Sequence, residues 1–292
     1  MNSGHEVRED ERVGGKVPAI LETAILEAAF FLIAWYLSAL NLGHLLPKVA
    51  MIVLALLGVA IHGSPKSYGF SVRNPWKELK WSLYVLLIML GLGGAVAYLC
   101  LALGLGAPGR VSLSKVVTDA LHYLVMVGFA EELFFRGYVQ SRLNEVFTRE
   151  YESLLGFRCT RLRLSLRGFL RLYESLLGFR CTWHQGTLIT AILYFGLPHV
   201  LTGINPLTGK YGVSAQTLMI AASACFLGLI FGVMREKTGN IILPTITHFS
   251  IIYSTFSLFP SIAGGFASII APVVALFVFF LKPFQDFLND EF

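Results

Sequence analysis

Residues 128–137 read Gly-Phe-Ala-Glu-Glu-Leu-Phe-Phe-Arg-Gly, so three ionisable side chains interrupt a run that is otherwise apolar enough to lie in a membrane. Placing one charged side chain at the centre of a bilayer costs about 2.5–3.5 kcal/mol on insertion scales. We therefore expect Glu131, Glu132 and Arg136 to face a protein interior or a wet cavity, where such groups commonly have a function. A purely structural ion pair is the alternative interpretation.

The spacing of these three residues predicts different roles for the two carboxylates. Glu132 and Arg136 are four residues apart, which places them on one face of a helix as a favourable pair. Glu131 points about 100° away around the helix, since one turn takes about 3.6 residues. One carboxylate can then be held by the arginine while the other takes up a proton.

The composition predicts a membrane protein. Of the 292 residues, 55% are hydrophobic and 14% are charged, whereas soluble domains carry about 25% charged residues. We predict an all-α fold, a polytopic membrane helix bundle of about eight transmembrane helices. The apolar runs lie near 19–42, 45–62, 81–105, 114–135, 186–203, 214–234, 240–259 and 263–282.

The domain prediction is a cytosolic polar tail at 1–17 and a single transmembrane helical domain at 18–292. An arginine-rich cytosolic loop at 148–184 interrupts this domain, and in it residues 151–160 recur identically as 173–182. Basic residues crowd alternate loops, which predicts an integral, multi-pass membrane protein with both termini in the cytosol. The same rule explains the net charge of +5, so we predict membrane lipids as partners and no nucleic acid.

Two histidines in later spans are candidates for a shared site with the glutamates. His199 follows Pro198, and His248 lies four residues after Pro244. Because proline cannot donate a backbone hydrogen bond, each helix is expected to bend or unwind at its proline. Irregular backbone at membrane depth is tolerated where it lines a cavity. A buried histidine that is merely satisfied in the core is the alternative for each.

Two glutamates and two histidines suit the hydrolysis of an amide by activated water. A buried carboxylate can act as a general base near neutral pH, and a histidine can stabilise a developing oxyanion. Zinc held by the same residues is an alternative. However, no HExxH motif is present, and neither glutamate has His, Cys or Asp three or four residues away. The sequence therefore predicts no cofactor and no metal.

The order Glu131-Glu132-x-x-x-Arg136, then Phe195-x-x-x-His199, then His248 resembles the CAAX prenyl endopeptidase and bacteriocin-processing (CPBP, Abi) family. Members of this family are intramembrane glutamate proteases with about eight helices. The resemblance implies that Glu131 activates water, assisted by Glu132 and His199, while His248 stabilises the oxyanion. Arg136 is implied to support Glu132.

One position departs from the family pattern. The family usually has Asn or Asp four residues after the last histidine, and here that position is Ile252. The nearest polar substitutes are Thr245, Ser250 and Ser254. The departure puts the second half of the oxyanion site in question.

The resemblance implies an intramembrane endopeptidase that cleaves near the C-terminus of a prenylated CAAX-type or similar lipid-modified, membrane-associated peptide. Ile252 favours an alternative, a non-catalytic membrane scaffold or bacteriocin self-immunity protein of the same fold. A proton-coupled transporter is a third hypothesis, against which the sequence has no inverted repeat of its spans.

Overall fold

The computed structural model describes residues 3–43, 45–62, 64–151 and 182–263, with the single positions 284, 286, 287 and 290. The predicted eighth span at 263–282 lies outside the described residues except for its first position. Most of the duplicated segment, residues 152–181, also lies outside them.

Seven helices in the described part of the chain are long and apolar enough to cross a membrane, which confirms the predicted all-α, polytopic class. Their exposed side chains include large apolar groups such as Ile61 (76% exposed) and Leu87 (66%), as expected for surfaces that face lipid. The helices are α1 (Ser3–Ala39), α2 (Leu45–His62), α3 (Pro75–Ala102), α4 (Leu113–Val146), α5 (Gln185–Gly203), α6 (Ala215–Thr238) and α7 (Ile242–Ala263).

Short elements lie between these helices. Two turns have 3₁₀ geometry, Pro65–Tyr68 and Pro206–Thr208. The strands are β1 (Glu150–Tyr151), β2 (Trp183–His184), β3 (Ile204–Asn205) and β4 (Lys210–Tyr211). Strands β3 and β4 form an antiparallel hairpin in which Ile204 pairs with Tyr211.

Helix α4 continues beyond the predicted end of its span at residue 135. The polar side chains after this point find partners inside the protein: Gln140 Nε2 donates to the carbonyl of Gly232 at 3.0 Å. Arg142 Nε donates to Glu22 at 3.1 Å. Because Gln140 Nε2 and Arg142 Nε have acceptors inside the protein, the helix runs on to Val146, and Glu131 lies near its middle.

The two prolines act differently. At Pro198 the prediction is confirmed, because α5 changes from π geometry at Thr190–Gly196 to 3₁₀ geometry at Leu197–Gly203. Pro244 lies in the first turn of α7, which begins at Ile242. A proline is tolerated there because its missing N–H has no partner within the helix in any case. The bend predicted at Pro244 is therefore a helix start.

The chain divides into two compact units, each with its own packing. The first comprises residues 1–71, 130–150 and 184–241. In it α5 and α6 approach so closely that a Cβ on Gly196 would lie 2.1 Å from Cys225 Sγ. The second comprises residues 72–129, 151–183 and 242–292. Its helices α3 and α7 meet where a Cβ on Gly93 would lie 2.1 Å from the Phe259 ring.

Candidate active site

The predicted ion pair between Glu132 and Arg136 is present and fully enclosed. Arg136 Nη1 donates to Glu132 Oε1 at 3.1 Å, and both side chains are 0% exposed. Arg136 Nη2 donates to the carbonyl of Gly228 on α6 at 3.2 Å. The guanidinium therefore links two turns of α4 to a neighbouring helix in the same unit.

Aromatic rings surround this guanidinium. Arg136 Cζ lies 4.0 Å from the ring centroid of Phe195 and 5.3 Å from that of Phe231. Arginine stacks well on aromatic faces, and cation–π contacts strengthen when they are desolvated. Glycine at position 228 leaves room for this arrangement, since a Cβ there would lie 2.9 Å from the Phe195 ring. The surroundings hold the pair in a single arrangement.

Helix α4 has π geometry on both sides of the two glutamates, at His122–Phe129 and Leu133–Val139. The backbone N–H of Gln140 accordingly donates to the carbonyl of Phe135, five residues earlier. Turns of π-helix are rare and are frequently found at functional sites. The sequence pattern did not predict them.

Glu131 has a basic partner that the sequence did not predict. Lys48 Nζ lies 2.5 Å from Glu131 Oε1, and the two side chains are 23% and 11% exposed. Lys48 is the fourth residue of α2. The signal that could have identified it is a lone lysine within the apolar run 45–62. A charge there needs a partner in the protein.

A cavity of about 560 Å³ contains this contact. Its walls come from α1, α2, α4, α5 and the β3–β4 hairpin, all within the first unit. Glu131, Lys48 and His199 all line it, together with aromatic side chains such as Trp35 and Phe195. Three of the ionisable groups of the first unit therefore share one space large enough for water and part of a peptide.

The hydrogen bond of His199 assigns its tautomer. His199 Nδ1 lies 2.6 Å from the carbonyl oxygen of Phe195. Because a carbonyl oxygen only accepts, Nδ1 carries the proton, and Nε2 is the nitrogen of the neutral ring that can accept a hydrogen bond from water. The four-residue spacing thus lets the backbone carbonyl of Phe195 fix the orientation of the His199 ring within the same helix.

The β3–β4 hairpin forms part of the cavity wall. Asn205 Nδ2 donates to the carbonyl of Trp35 at 3.2 Å, which ties the hairpin to α1. Gly209 has φ +67° and completes the turn, a conformation that favours glycine. The outermost lining residues are exposed, namely Asn41, Gly43, Thr208 and Lys210. The cavity therefore opens at the end of the unit where α1 ends and α2 begins.

A second polar cluster lies away from the cavity, where α1, α2 and α4 approach the turn at Pro65–Tyr68. Glu22 contacts His62 Nε2 at 2.5 Å and accepts a hydrogen bond from Tyr138. Tyr68 donates to Glu145 at 3.2 Å. Burial, followed by the negative charge of Glu145, raises the pKa of Tyr68 to about 12. This phenol therefore remains a donor at physiological pH, and the cluster ties three helices together.

His248 lies in the second unit, buried at 4% exposure in α7. Its predicted role beside Glu131 stays a prediction. Of the polar residues near it, Ser250 donates to the carbonyl of Ile246 and Ser254 to that of Ser250, each at 2.6 Å. Thr245 Oγ1 is buried and has no hydrogen-bond partner among the described residues. Thr245 thus has a hydroxyl that remains available, three residues before His248.

Within the described ranges, no group of three or more His, Cys, Asp and Glu side chains is placed to hold a metal ion. The two glutamates of the candidate site are each paired with a basic side chain, Glu131 with Lys48 and Glu132 with Arg136.

Comparison with known families gives a match over the segment from α4 into α7 that carries the candidate residues, residues 113–253. Residues 113–253 match the family model described as Rce1-like, type II CAAX prenyl endopeptidase Rce1-like. The matched segment contains the two glutamates, Arg136 and both candidate histidines, whereas Lys48 lies outside it. No curated protein matches the chain, and no solved structure matches it.

Proposed function

We propose that this chain, which belongs to the CAAX prenyl endopeptidase family through its Rce1-like domain at residues 113–253, is an intramembrane endopeptidase. The proposed enzyme is of the glutamate type and needs no metal. Its substrate is a prenylated CAAX-type or similar membrane-associated peptide, cleaved near the C-terminus. The observation that carries this proposal is the cavity in which Glu131, Lys48 and His199 meet beside the enclosed Glu132–Arg136 pair.

In the proposed reaction Glu131 is the general base. Its carboxylate takes a proton from a water molecule, and the water oxygen attacks the carbonyl carbon of the scissile amide. His199 Nε2 accepts the other hydrogen of the water and so orients it. As the tetrahedral intermediate collapses, the C–N bond breaks and the proton passes from Glu131 to the leaving amine. The reaction consumes one water and forms no covalent enzyme intermediate.

The second histidine, His248, is assigned the role of stabilising the oxyanion of the tetrahedral intermediate. We place His248 as the donor to the oxyanion, following the family pattern, because donors aimed at developing charge make large contributions to rate. Glu132 is held in place by its ion pair with Arg136 and shapes the site beside Glu131.

The direct test is cleavage of a farnesylated C-a-a-X peptide by the purified, detergent-solubilised protein, followed by mass spectrometry. Release of the terminal tripeptide supports the proposal. A peptide with the same sequence and no lipid is the matched substrate control. Absence of cleavage for this peptide and for a panel of membrane-associated peptides would overturn the enzymatic function.

The second candidate function is a non-catalytic scaffold or self-immunity protein of the same fold. The observation that favours it is Ile252, an apolar residue where the family pattern has an amide or carboxylate. On that hypothesis, biological function survives Glu131→Ala, whereas the proteolytic hypothesis requires its loss.

Lys48→Met tests whether the contact with Lys48 orients the carboxylate of Glu131. Without the ammonium group at 2.5 Å the carboxylate loses a partner that fixes its position in the cavity, so we expect kcat/KM to fall about tenfold or more. The measurement is the rate of cleavage of the farnesylated peptide.

Two matched variants complete this test. Lys48→Arg keeps the positive charge and is expected to keep most of the activity. Lys66→Met removes a lysine from an exposed turn and should cleave at the wild-type rate. A wild-type kcat/KM in Lys48→Met would show that the contact with Glu131 has no part in activity.

Thr245→Val tests whether the hydroxyl of Thr245 takes the role of the Asn or Asp side chain that the family pattern has at the position of Ile252. Thr245 precedes His248 by three residues, so both lie on one face of α7. If its hydroxyl donates to the oxyanion, its loss should lower kcat about 10²-fold, the effect of removing one such donor. Thr247→Val is the matched control, since Thr247 is also buried and has no partner among the described residues but lies on another face of the helix.

A further inference from the structure

A second cavity, of about 610 Å³, lies within the second unit. One wall is the first part of α3, and the other comes from described positions near the end of the chain. The rings of Trp81 and Phe287 pack edge to face with their centroids 5.1 Å apart. Asp290 accepts hydrogen bonds from Lys77 Nζ at 3.1 Å and from Trp81 Nε1 at 3.3 Å. Packing and hydrogen bonds therefore hold the two walls together.

The wall of this cavity carries charges of both signs. Lys80 lines it from α3, and Asp286 and Asp290 line it from the other side. The carboxylate of Asp290 is paired with Lys77, which balances its charge. Lys80 and Asp286 are both exposed, so a molecule that enters the cavity can reach them. One exposed cation and one exposed anion therefore line the same space.

The cavity continues along α3 as an apolar surface. Leu83 and Leu87 line it, are 47% and 66% exposed, and belong to a helix long and apolar enough to cross a membrane. At 1.5 Å per residue they lie about 4.5 and 10.5 Å from Lys80 along the helix axis. Trp76, in the first turn of α3, is 76% exposed, and tryptophan is enriched at the membrane–water interface. The charged end of the cavity is therefore at the depth of lipid headgroups, and its apolar end reaches the hydrocarbon.

We propose that this cavity binds a membrane phospholipid with a zwitterionic headgroup that carries a primary amine, the class of phosphatidylethanolamine. Its phosphate accepts a hydrogen bond from Lys80 Nζ, and its ammonium group donates to the carboxylate of Asp286. Its acyl chains lie along Leu83 and Leu87. The site belongs to the second unit, and the proposal does not depend on the catalytic function.

The charges of the cavity favour this headgroup over others. A headgroup with negative charge only would meet the carboxylates of Asp286 and Asp290 as well as Lys80, and like charges at close range are unfavourable. A choline headgroup has no N–H to donate to a carboxylate and is recognised on aromatic faces. The ring of Trp81 is already in contact with Phe287 and has the ammonium group of Lys80 5.4 Å from its centroid. A primary ammonium therefore suits this site better than a quaternary one.

The test is native mass spectrometry of the purified, delipidated full chain with equal amounts of phosphatidylethanolamine, phosphatidylcholine and phosphatidylglycerol that have identical acyl chains. We expect phosphatidylethanolamine to be retained about three to five times more than phosphatidylcholine, since an ion pair at an exposed site is weak. In Asp286→Asn this preference should disappear. In Lys80→Met the retention of both zwitterionic lipids should fall about threefold or more, because their phosphate loses its cation.

Glu150→Gln and Lys66→Met are the matched controls, since each removes a charge from an exposed side chain that does not line this cavity. Both should retain the lipids as the wild type does. The proposal would be overturned by the absence of retained lipid, by equal retention of the three lipids, or by a preference for phosphatidylglycerol. A preference for phosphatidylethanolamine that survives Asp286→Asn would also overturn it.

A second measurement leaves the charged residues in place. A benzophenone amino acid at position 83, or at position 99 as the control, is irradiated in nanodiscs that contain equal amounts of the same three lipids. Leu99 is on the same helix and is 54% exposed, but it does not line the cavity. The crosslinked lipid should be enriched in phosphatidylethanolamine at position 83 only. The same lipid composition at both positions would contradict a specific site. Neither measurement requires turnover, so a protein without protease activity can still pass both.

Discussion

Glu131→Gln is expected to abolish peptide cleavage while leaving the protein folded. The amide has nearly the same shape as the carboxylate but cannot take a proton from water, so kcat should fall about 10²–10⁴-fold. The KM should change little, because the substitution removes a group that acts in the transition state and not in substrate binding. Lys48 then loses its ionic partner at 2.5 Å, but its side chain, 23% exposed, can reach water in the cavity.

The matched control is Glu150→Gln. Glu150 lies in the same unit with a side chain that is 59% exposed and is 3.7 Å from His184 Nε2, away from the cavity. The Glu150→Gln variant should cleave the peptide at the wild-type rate. If Glu131→Gln kept more than about a tenth of the wild-type rate, general-base catalysis by this residue would be contradicted.

Arg136→Met is expected to be the most destabilising of these substitutions. It leaves the carboxylate of Glu132 in a fully enclosed site without its cation, and breaking such a pair costs about 3–5 kcal/mol. It also removes the donor to the Gly228 carbonyl and the stacking on Phe195. The measurement is the free energy of unfolding of the detergent-solubilised protein in a denaturant titration.

The double variant Glu132→Gln/Arg136→Met separates the charge from the packing. With both ionised groups removed, much of the lost stability should return, because no uncompensated charge remains buried. The coupling free energy comes from the double-mutant cycle with the two single variants. If the single variant Arg136→Met unfolded like the wild type, the pair would not be the structural anchor of the site.

The parts of the site that could be predicted from sequence are local in the chain. The Glu132–Arg136 pair spans one helical turn, so its spacing alone indicates the contact. The link between His199 and the carbonyl of Phe195 is also a four-residue contact. Span positions followed from hydropathy, because a bilayer demands a long apolar run.

The parts that could not be predicted depend on contacts between distant segments. Lys48 and Glu131 are 83 residues apart, and no periodicity links them. The continuation of α4 to Val146 depends on acceptors in distant segments, the carbonyl of Gly232 for Gln140 and the carboxylate of Glu22 for Arg142. In the sequence, these polar side chains look like the end of a helix. At Pro244 the predicted bend was wrong, because the sequence did not show that the helix starts at Ile242, where a proline in the first turn is tolerated.

The most direct measurement is the rate of farnesylated C-a-a-X peptide cleavage by the purified protein before and after exhaustive chelation, with metal content determined on the same sample. We predict that the chelated, metal-free protein cleaves at the rate of the untreated one and that Glu131→Gln cleaves under neither condition. Loss of cleavage on chelation, with recovery on adding Zn²⁺, would contradict glutamate catalysis without a metal.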